Sequence, residues 1–333
     1  LVDWGHELRV FVGQPEPGEG DLSQALERAG VSVVRVPGLG RSPHPWRDAQ
    51  AVRFLRRELR AWRPDLVHTH ASKAGWLGRI AARGTGARTL HTFHGHVFEG
   101  HFPRWQTACL QAIERRLARS TEQLVTVSEA TRNELVDRRI ARPAEIRVLY
   151  GGAGVAELAR CSREDARLRR DLHLHAGDLV IGVLGRLAPI KRPRLALEAF
   201  VRAWPELERA KLVFVGDGPE RLRLEQDLEK CAPEIRASVF LAGPWENMAA
   251  MLPDLDLLLS ASRHEGLPIA MVEAGACGVP SVATPVGGVG EFVVPGLTGW
   301  IGDDPDGLAR GLVALGRDRN LRERLGREAR DLA

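Results

Sequence analysis

Short apolar runs alternate with amphipathic stretches along almost the whole chain. The runs at 7–12 (ELRVFV), 31–36 (VSVVRV), 65–69 (DLVHT), 87–92 (ARTLHT), 123–127 (QLVTV) and 145–149 (EIRVL) are short and rich in β-branched residues, which predicts strands. Between them, at 21–29, 48–62, 73–83, 103–119 and 129–137, apolar residues recur at intervals of three and four, which predicts helices with one buried face. A second series follows, with strands at 179–184, 211–215, 238–242, 255–260 and 280–283 and helices at 193–203, 219–230, 246–252, 268–276, 306–315 and 319–331. Strand–helix alternation leads to a parallel sheet covered by helices on both faces. Two such series predict two doubly wound, Rossmann-like α/β domains, at 1–150 and 176–333, joined by a glycine-rich and then highly charged linker at 151–175.

Composition adds limits to this picture. A chain of 333 residues, 44% hydrophobic and 27% charged, suits two soluble globular domains. No apolar run approaches the ~20 residues that a membrane-crossing helix needs. Cys109, Cys161, Cys231 and Cys277 are scattered, with no C-x-x-C pair, so neither a zinc site nor a disulfide framework is expected, and a reducing, cytoplasmic setting is. The opening LVDWGHELRVFVG carries neither a methionine nor a signal-peptide pattern and reads as the tail of a helix followed by a strand, as in a fragment. The net charge of +4 is unevenly divided: residues 1–150 hold 23 Lys and Arg against 16 Asp and Glu, and the remainder holds 24 against 27. The first half is therefore the one drawn to an anionic surface or ligand. No nucleic-acid partner is expected.

In doubly wound sheets, ligands bind beyond the carboxyl ends of the strands, so polar residues there carry the functional signal. In the second half, IGVLGRLAPIKRP leaves its strand at Gly185 and places Arg186 and Lys191 across a turn. They are either two solvated cations or a forked and a point donor for two phosphates. KLVFVGDGPER turns at Gly216 from strand to helix, and VFLAGPWENM turns at Gly243 with Trp245 just beyond; Trp245 either packs under its loop or lines a base pocket. In SRHEGLPIAMVEAGACGVP, Glu265 precedes Gly266, Leu267 and Pro268, and Glu273 stands in an otherwise apolar run. Pro268 suits a first helical turn and Gly278 a C-terminal cap, which gives a helix whose N-terminus is an anion site. A buried Glu273 needs a partner, either a cation from another segment or the hydroxyls of a ribose.

In the first half, HTFHGHVFEGHF gathers His91, His94, His96 and His101 with Glu99. The density invites a metal reading, yet strand alternation sends His91 and Phe93 to one face and Thr92 and His94 to the other. The motif D-x-D occurs as Asp254-Leu255-Asp256, but it opens a strand, away from the carboxyl end, and reads as structural.

GRLAPIKRP, LVFVGDGPER, SRHEGLPIAMVEAGACGVPSVATPVGG and GLTGW, in this order and with eight residues from Glu265 to Glu273, resemble the C-terminal domain of the family 4 retaining glycosyltransferases of GT-B architecture. HTHASKAG, the T-x-H-G segment around His94 and VTVSEATRNEL resemble the N-terminal domain of the same family. The resemblance implies two Rossmann-like domains facing across a cleft. It implies that Arg186, Lys191 and the Gly266-Leu267-Pro268 backbone bind the donor diphosphate, and that Glu273 holds the ribose. Gly216, Gly243 and Trp245 would then line the base side, with Glu265 and His94 at the transferred sugar. Three departures stand out: the expected first strand with its glycine-rich turn is absent before residue 1, the interdomain segment reads YGGAGV, and the last helix stops at Ala333.

The resemblance further implies transfer of a hexosyl or N-acetylhexosaminyl group from a nucleotide-diphosphate sugar, UDP by preference, with retention and without a metal cofactor. Other sugar-nucleotide enzymes of the same architecture, a glycogen-type synthase or an epimerase, and a non-catalytic sugar-nucleotide-binding module are the alternatives. A nicotinamide enzyme is disfavoured, because no strand exit carries G-x-G-x-x-G with an acidic residue ~20 positions on. The arginine-rich helical stretches at 53–63 and 103–120 are either ordinary surface helices or docking faces for an anionic leaflet. The expected acceptor is a glycan or a lipid-linked saccharide of cell-surface polysaccharide synthesis, met at the inner face of the membrane.

Overall fold

The structure, a computed structural model, describes residues 1–14, 21, 23–40, 42–95, 104–152 and 154–333. The chain forms two compact units, Leu1–Leu149 and Tyr150–Ala333.

The first unit runs β1 (Arg9–Val12), α1 (Ser23–Arg28), β2 (Ser32–Arg35), α2 (Pro45–Trp62), β3 (Leu66–His70), α3 (Ser72–Ala82), β4 (Arg88–Phe93), α4 (Arg104–Ala118), β5 (Gln123–Thr126), α5 (Glu129–Asp137) and β6 (Ile146–Val148). Every pairing is parallel, because each crossover helix returns the chain to the same end of the sheet. β1 and β2 form a two-stranded sheet, and β3-β4-β5-β6 form a four-stranded one. Apolar faces of α2 and α3 pack Leu55, Leu59, Leu77 and Ala81 against Val36 and Leu39. An ion pair between Arg79 and Glu114, at 2.7 Å and each 2% exposed, ties α3 to α4. The Trp76 indole N–H also donates to Glu114, and Arg79 Nε donates to the Gly75 carbonyl at 3.0 Å, which offsets part of the cost of burying both charges.

The second unit runs α6 (Val155–Leu158), α7 (Leu168–Asp171), β7 (Leu179–Leu184), α8 (Pro193–Ala203), β8 (Ala210–Val215), α9 (Arg221–Glu229), α10 (Pro233–Arg236), β9 (Val239–Gly243), β10 (Leu257–Ser260), α11 (Ile269–Ala276), β11 (Ser281–Ala283), α12 (Val289–Phe292), β12 (Gly299–Ile301), α13 (Pro305–Arg317) and α14 (Arg319–Leu332). Its sheet has the order β12-β11-β10-β7-β8-β9. The apolar runs here are nearly continuous because both sheet faces are covered. Along β7, Ile181 and Val183 join one core cluster and Val180 the other. From β7 the chain moves outward through β8 and β9, then returns to the other side of β7 for β10. The switch point, and with it the ligand crevice expected of this topology, therefore lies at the carboxyl ends of β7 and β10.

The helix expected at 246–252 is replaced by two 3-10 turns, Met248–Ala250 and Leu252–Asp254. Asn247 caps the first, and Pro253 enters the second, where it cannot supply a helical N–H. Strand β12 and the single-turn α12 had no counterpart in the sequence expectation; both are too short to show a period. Asp254 and Asp256 stand at the amino end of β10. Asp256 pairs with Arg163 at 2.5 Å and Arg169 at 2.7 Å and accepts from the Val180 N–H at 2.8 Å, so the D-x-D motif anchors the sheet's amino edge.

α14 buttresses α11 from behind: Arg330 donates to the Cys277 carbonyl at 2.9 Å, and Gly326 lies flat against Gly278. Its N-cap is Asp318, which accepts from the Leu321 N–H at 2.9 Å. Replacing Asp318 with Ala is expected to lower stability by about 1 kcal/mol, read as a drop in the thermal midpoint.

Candidate active site at the carboxyl edge of the second sheet

The exits from β7, β8, β9, β10 and β11 are bonded to one another through the main chain. Gly185 N–H donates to Val215 O at 3.0 Å, Leu187 N–H to Asp217 O at 2.9 Å, and Gly216 N–H to Gly243 O at 2.8 Å. Gly216 has φ +132°, and a Cβ there would overlap the Gly185 carbonyl, so the β7 and β8 exits touch only because the residue is glycine. Arg263 N–H donates to Ile190 O at 2.8 Å, which links the β7 exit to the β10 exit. Arg192 reinforces this link: its guanidinium donates to the carbonyls of Ala261 at 2.6 Å and Ser262 at 2.7 Å. These two bonds offset the left-handed backbone of Arg192, φ +48°, which a side-chain-bearing residue rarely adopts. Thr284, just after β11, donates its hydroxyl to the Ser262 carbonyl at 2.6 Å.

Lys191 Nζ donates to Glu265 Oε1 at 2.6 Å, and the Ser262 hydroxyl donates to the same oxygen at 2.6 Å. The two blocks that sequence reading assigned to phosphate and to sugar are thus in direct contact, although 74 residues separate them. Arg186 is exposed in the same β7 exit turn as Lys191. Pro268 is the N-cap of α11 rather than its first residue. Local bonds occupy part of the helix start: Ile269 N–H donates to Leu267 O and Met271 N–H to Pro268 O. Gly266 and Pro268 are buried, and the partly buried Leu267 side chain packs against the core cluster shared with α11.

Glu273 is half-buried on α11 and has no hydrogen-bonding or ion-pairing partner among the described residues. Burial alone pushes its carboxyl above the usual carboxylate range. The cation that a purely structural glutamate would require is therefore absent from its surroundings among the described residues. Trp245 packs against the same core cluster, with the Arg167 guanidinium 5.8 Å from its ring centroid. Its indole N–H is buried without an acceptor among the described residues, which leaves a polar atom to satisfy on the β9 side.

In the first unit, His91 and Phe93 share one face of β4, with rings edge to face at 4.4 Å, while Thr92 turns to His68 on the other; all three of these β4 residues are buried, and His94 is exposed. His91 shares a hydrogen bond with the Thr69 hydroxyl at 2.9 Å, and burial pushes its pKa down to about 2. His94 Nε2 lies 2.9 Å from His70 Nδ1. Partial desolvation by neighbouring groups lowers the pKa of both rings although each stays exposed, and His94 lowers that of His70 further. His96, Glu99 and His101 fall outside the described residues. Among the described residues no group of three His, Cys, Asp or Glu is arranged to hold a metal ion.

Sequence reading passed over Ser262 and Arg192. Ser262 was within the quoted motif, and Arg192 adjoins Lys191, but neither residue type signals that it will hold a neighbouring loop. His70 was noted only as part of HTHASKAG, since nothing in one strand reveals what the next strand places beside it.

The family model described as Glycosyl transferases group 1 matches residues 164–332, and that described as Glycosyltransferase Family 4 matches residues 1–156. The chain is 27% identical over 310 residues to the UDP-Gal:alpha-D-GlcNAc-diphosphoundecaprenol alpha-1,3-galactosyltransferase of Escherichia coli, covering 91% of this chain and 79% of that protein. It is 31% identical over 288 residues to the D-inositol 3-phosphate glycosyltransferase of Acidothermus cellulolyticus, covering 80% and 62% of the two chains. Among solved structures, Anabaena HepE in complex with UDP and glucose superposes with a TM-score of 0.82 at 19% identity, covering 98% of this chain and 94% of that one.

Proposed function

Because this chain belongs to the glycosyl transferases group 1 and is a glycosyltransferase of GT-B fold, we propose that it moves a hexosyl or N-acetylhexosaminyl group from a UDP-sugar to a glycan or lipid-linked acceptor, with retention at the anomeric carbon. The observation that carries this reading is Glu273, a half-buried carboxylate without a partner among the described residues, on the helix α11 that follows the Glu265 segment. Two vicinal ribose hydroxyls satisfy such a group, and the diphosphate attached to that ribose then reaches Arg186, Lys191 and the α11 start. A nucleoside diphosphate leaving group needs its developing charge neutralised. A guanidinium, an ammonium and a helix N-terminus supply that without a divalent ion, so no metal is required. Lys191 exchanges Glu265 for phosphate oxygens, and Glu265, still held by Ser262, is then free to accept from a hydroxyl of the transferred sugar. By the family resemblance alone, His94 is assigned a contact with the transferred sugar. UDP is favoured over other nucleotides because HepE binds it and the galactosyltransferase relative is named for UDP-Gal.

The acceptor reading draws on that relative, whose named acceptor is a diphosphoundecaprenol-linked GlcNAc, and on the surface of α4. Trp105, 68% exposed, and Ile113, 43% exposed, share one face of that helix with the exposed Cys109, flanked by the exposed Arg104 and Arg116. An apolar stripe edged by arginines fits the boundary of an anionic leaflet. No helix among the described residues is long and apolar enough to cross a membrane, so the proposed contact is peripheral.

Thermal shift across a panel of nucleotide sugars, followed by product analysis with and without excess chelator, tests the whole reading. A UDP-sugar is expected to raise the midpoint most, and turnover is expected to survive chelation. Stabilisation by no UDP-sugar refutes the donor assignment, and complete loss of turnover in chelator refutes the metal-free one.

A further inference from the structure

The carboxyl ends of β3 and β4 hold a row of side chains of which the proposed chemistry uses only His94. The strands pair in register, His70 opposite Thr92, so that His68, His70, Thr92 and His94 share one face. His68 Nε2 lies 2.8 Å from the Thr92 hydroxyl, and the His68 and His70 rings pack at 4.0 Å between centroids. His70 and His94 meet ring nitrogen to ring nitrogen at 2.9 Å.

A short contact between two imidazole nitrogens permits only one proton between them. One ring donates and the other accepts, so the tautomer of each ring depends on its partner. On His94 the nitrogen in contact is Nε2, so the nitrogen left to face a ligand is Nδ1. His70 is in turn held laterally by His68, which the Thr92 hydroxyl fixes. The row His68–His70–His94 thus works as a brace across two adjacent strands. His91, on the buried face, takes no part, since its bond goes to Thr69.

We propose that His70 is a positioning residue for His94: the contact through Nε2 fixes the ring's rotamer and tautomer, so that Nδ1 is the atom offered to a hydroxyl of the transferred sugar. This rests on the reading that His94 touches that sugar. His70 itself touches no reacting atom.

The test uses the full chain, the best UDP-sugar from the panel, and three variants: His70→Leu, His70→Asn and His94→Ala. Asparagine carries a polar atom close to where Nδ1 of His70 lies, whereas leucine keeps bulk and removes the bond. His70→Leu is expected to lower kcat about 10- to 100-fold with donor KM changed less than threefold. His70→Asn is expected to recover most of the loss. Imidazole nitrogen NMR is expected to show one tautomer for His94 in the wild type and in His70→Asn, and a mixture in His70→Leu. If His94→Ala is inactive while His70→Leu is folded, active and unchanged in the His94 tautomer, the positioning role is overturned and the sugar contact stands. If His94→Ala is as active as the wild type, the sugar contact falls and the positioning role with it. If His70→Leu does not fold, the Asn variant and its NMR signature decide: a mixed tautomer with normal kcat overturns the proposal.

Discussion

Replacing Glu273 with Ala is expected to lower kcat/KM for the UDP-sugar by about 10²- to 10³-fold and to abolish the thermal shift that the donor produces. A hydrogen bond to a charged acceptor contributes about 1.5–3 kcal/mol, and two ribose hydroxyls on one carboxylate account for that range. The companion Glu273→Gln separates binding from structure. Burial raises the folded-state pKa of Glu273 above its unfolded value. The desolvation penalty is therefore fully present above the raised pKa and vanishes below the ordinary carboxylate range. Ligand-free Glu273→Gln is expected to melt on the order of 2 °C higher than the wild type at neutral pH, and the difference is expected to close as pH falls into that range. A residue whose replacement raises stability while removing donor affinity serves the ligand, not the fold. Lower stability of Glu273→Gln at neutral pH, with donor affinity intact, would contradict the assignment.

Gly287→Ala is expected to damage turnover through the backbone. Gly287 has φ +50°, and a Cβ there would overlap the carbonyl oxygen of Glu265. The same carbonyl accepts from the Gly288 N–H at 3.2 Å. Relief requires the Glu265 segment to move away from β11 by an ångström or more, which separates Glu265 from Lys191 and Ser262. A displacement of that size at a reacting centre costs about 100-fold, so kcat is expected to fall by about that factor and stability by about 1–3 kcal/mol. Gly290, three residues on in α12, has open space where a Cβ would go. Gly290→Ala is therefore the control, expected within about 0.5 kcal/mol of the wild type and fully active. Equal activity of both variants would show that the Glu265 segment tolerates displacement.

The long periodic segments were legible in the sequence because burial on both sheet faces makes strands 179–184 and 210–215 almost wholly apolar, while α2 and α8 each show a single buried stripe. The residues of the carboxyl edge could be named for a related reason: a glycine at a strand exit, or a carboxylate in an apolar run, conflicts with local preference and so marks a site. The contacts among those residues were not legible. Nothing at Lys191 announces Glu265, and the bond forms only because Arg192 and the Arg263 N–H bring two distant exits together. Element ends failed where short-range chemistry overrode pattern, as at Asn247 and Pro253, where capping and a missing donor turned an expected helix into two tight turns. The separation of β1–β2 from β3–β6 was equally hidden, since hydropathy records what a strand buries and not which strand lies beside it.

The rim of the second unit is joined mostly by peptide groups, with glycine at its tightest crossings. Its shape is thus largely independent of the side chains that decorate it. Varying the Arg263 side chain leaves in place the peptide bond from its N–H to the Ile190 carbonyl, whereas the same diversity at Gly216 or Gly287 would yield mostly inactive clones. Side chains around this frame can therefore be exchanged without redesign of its loops.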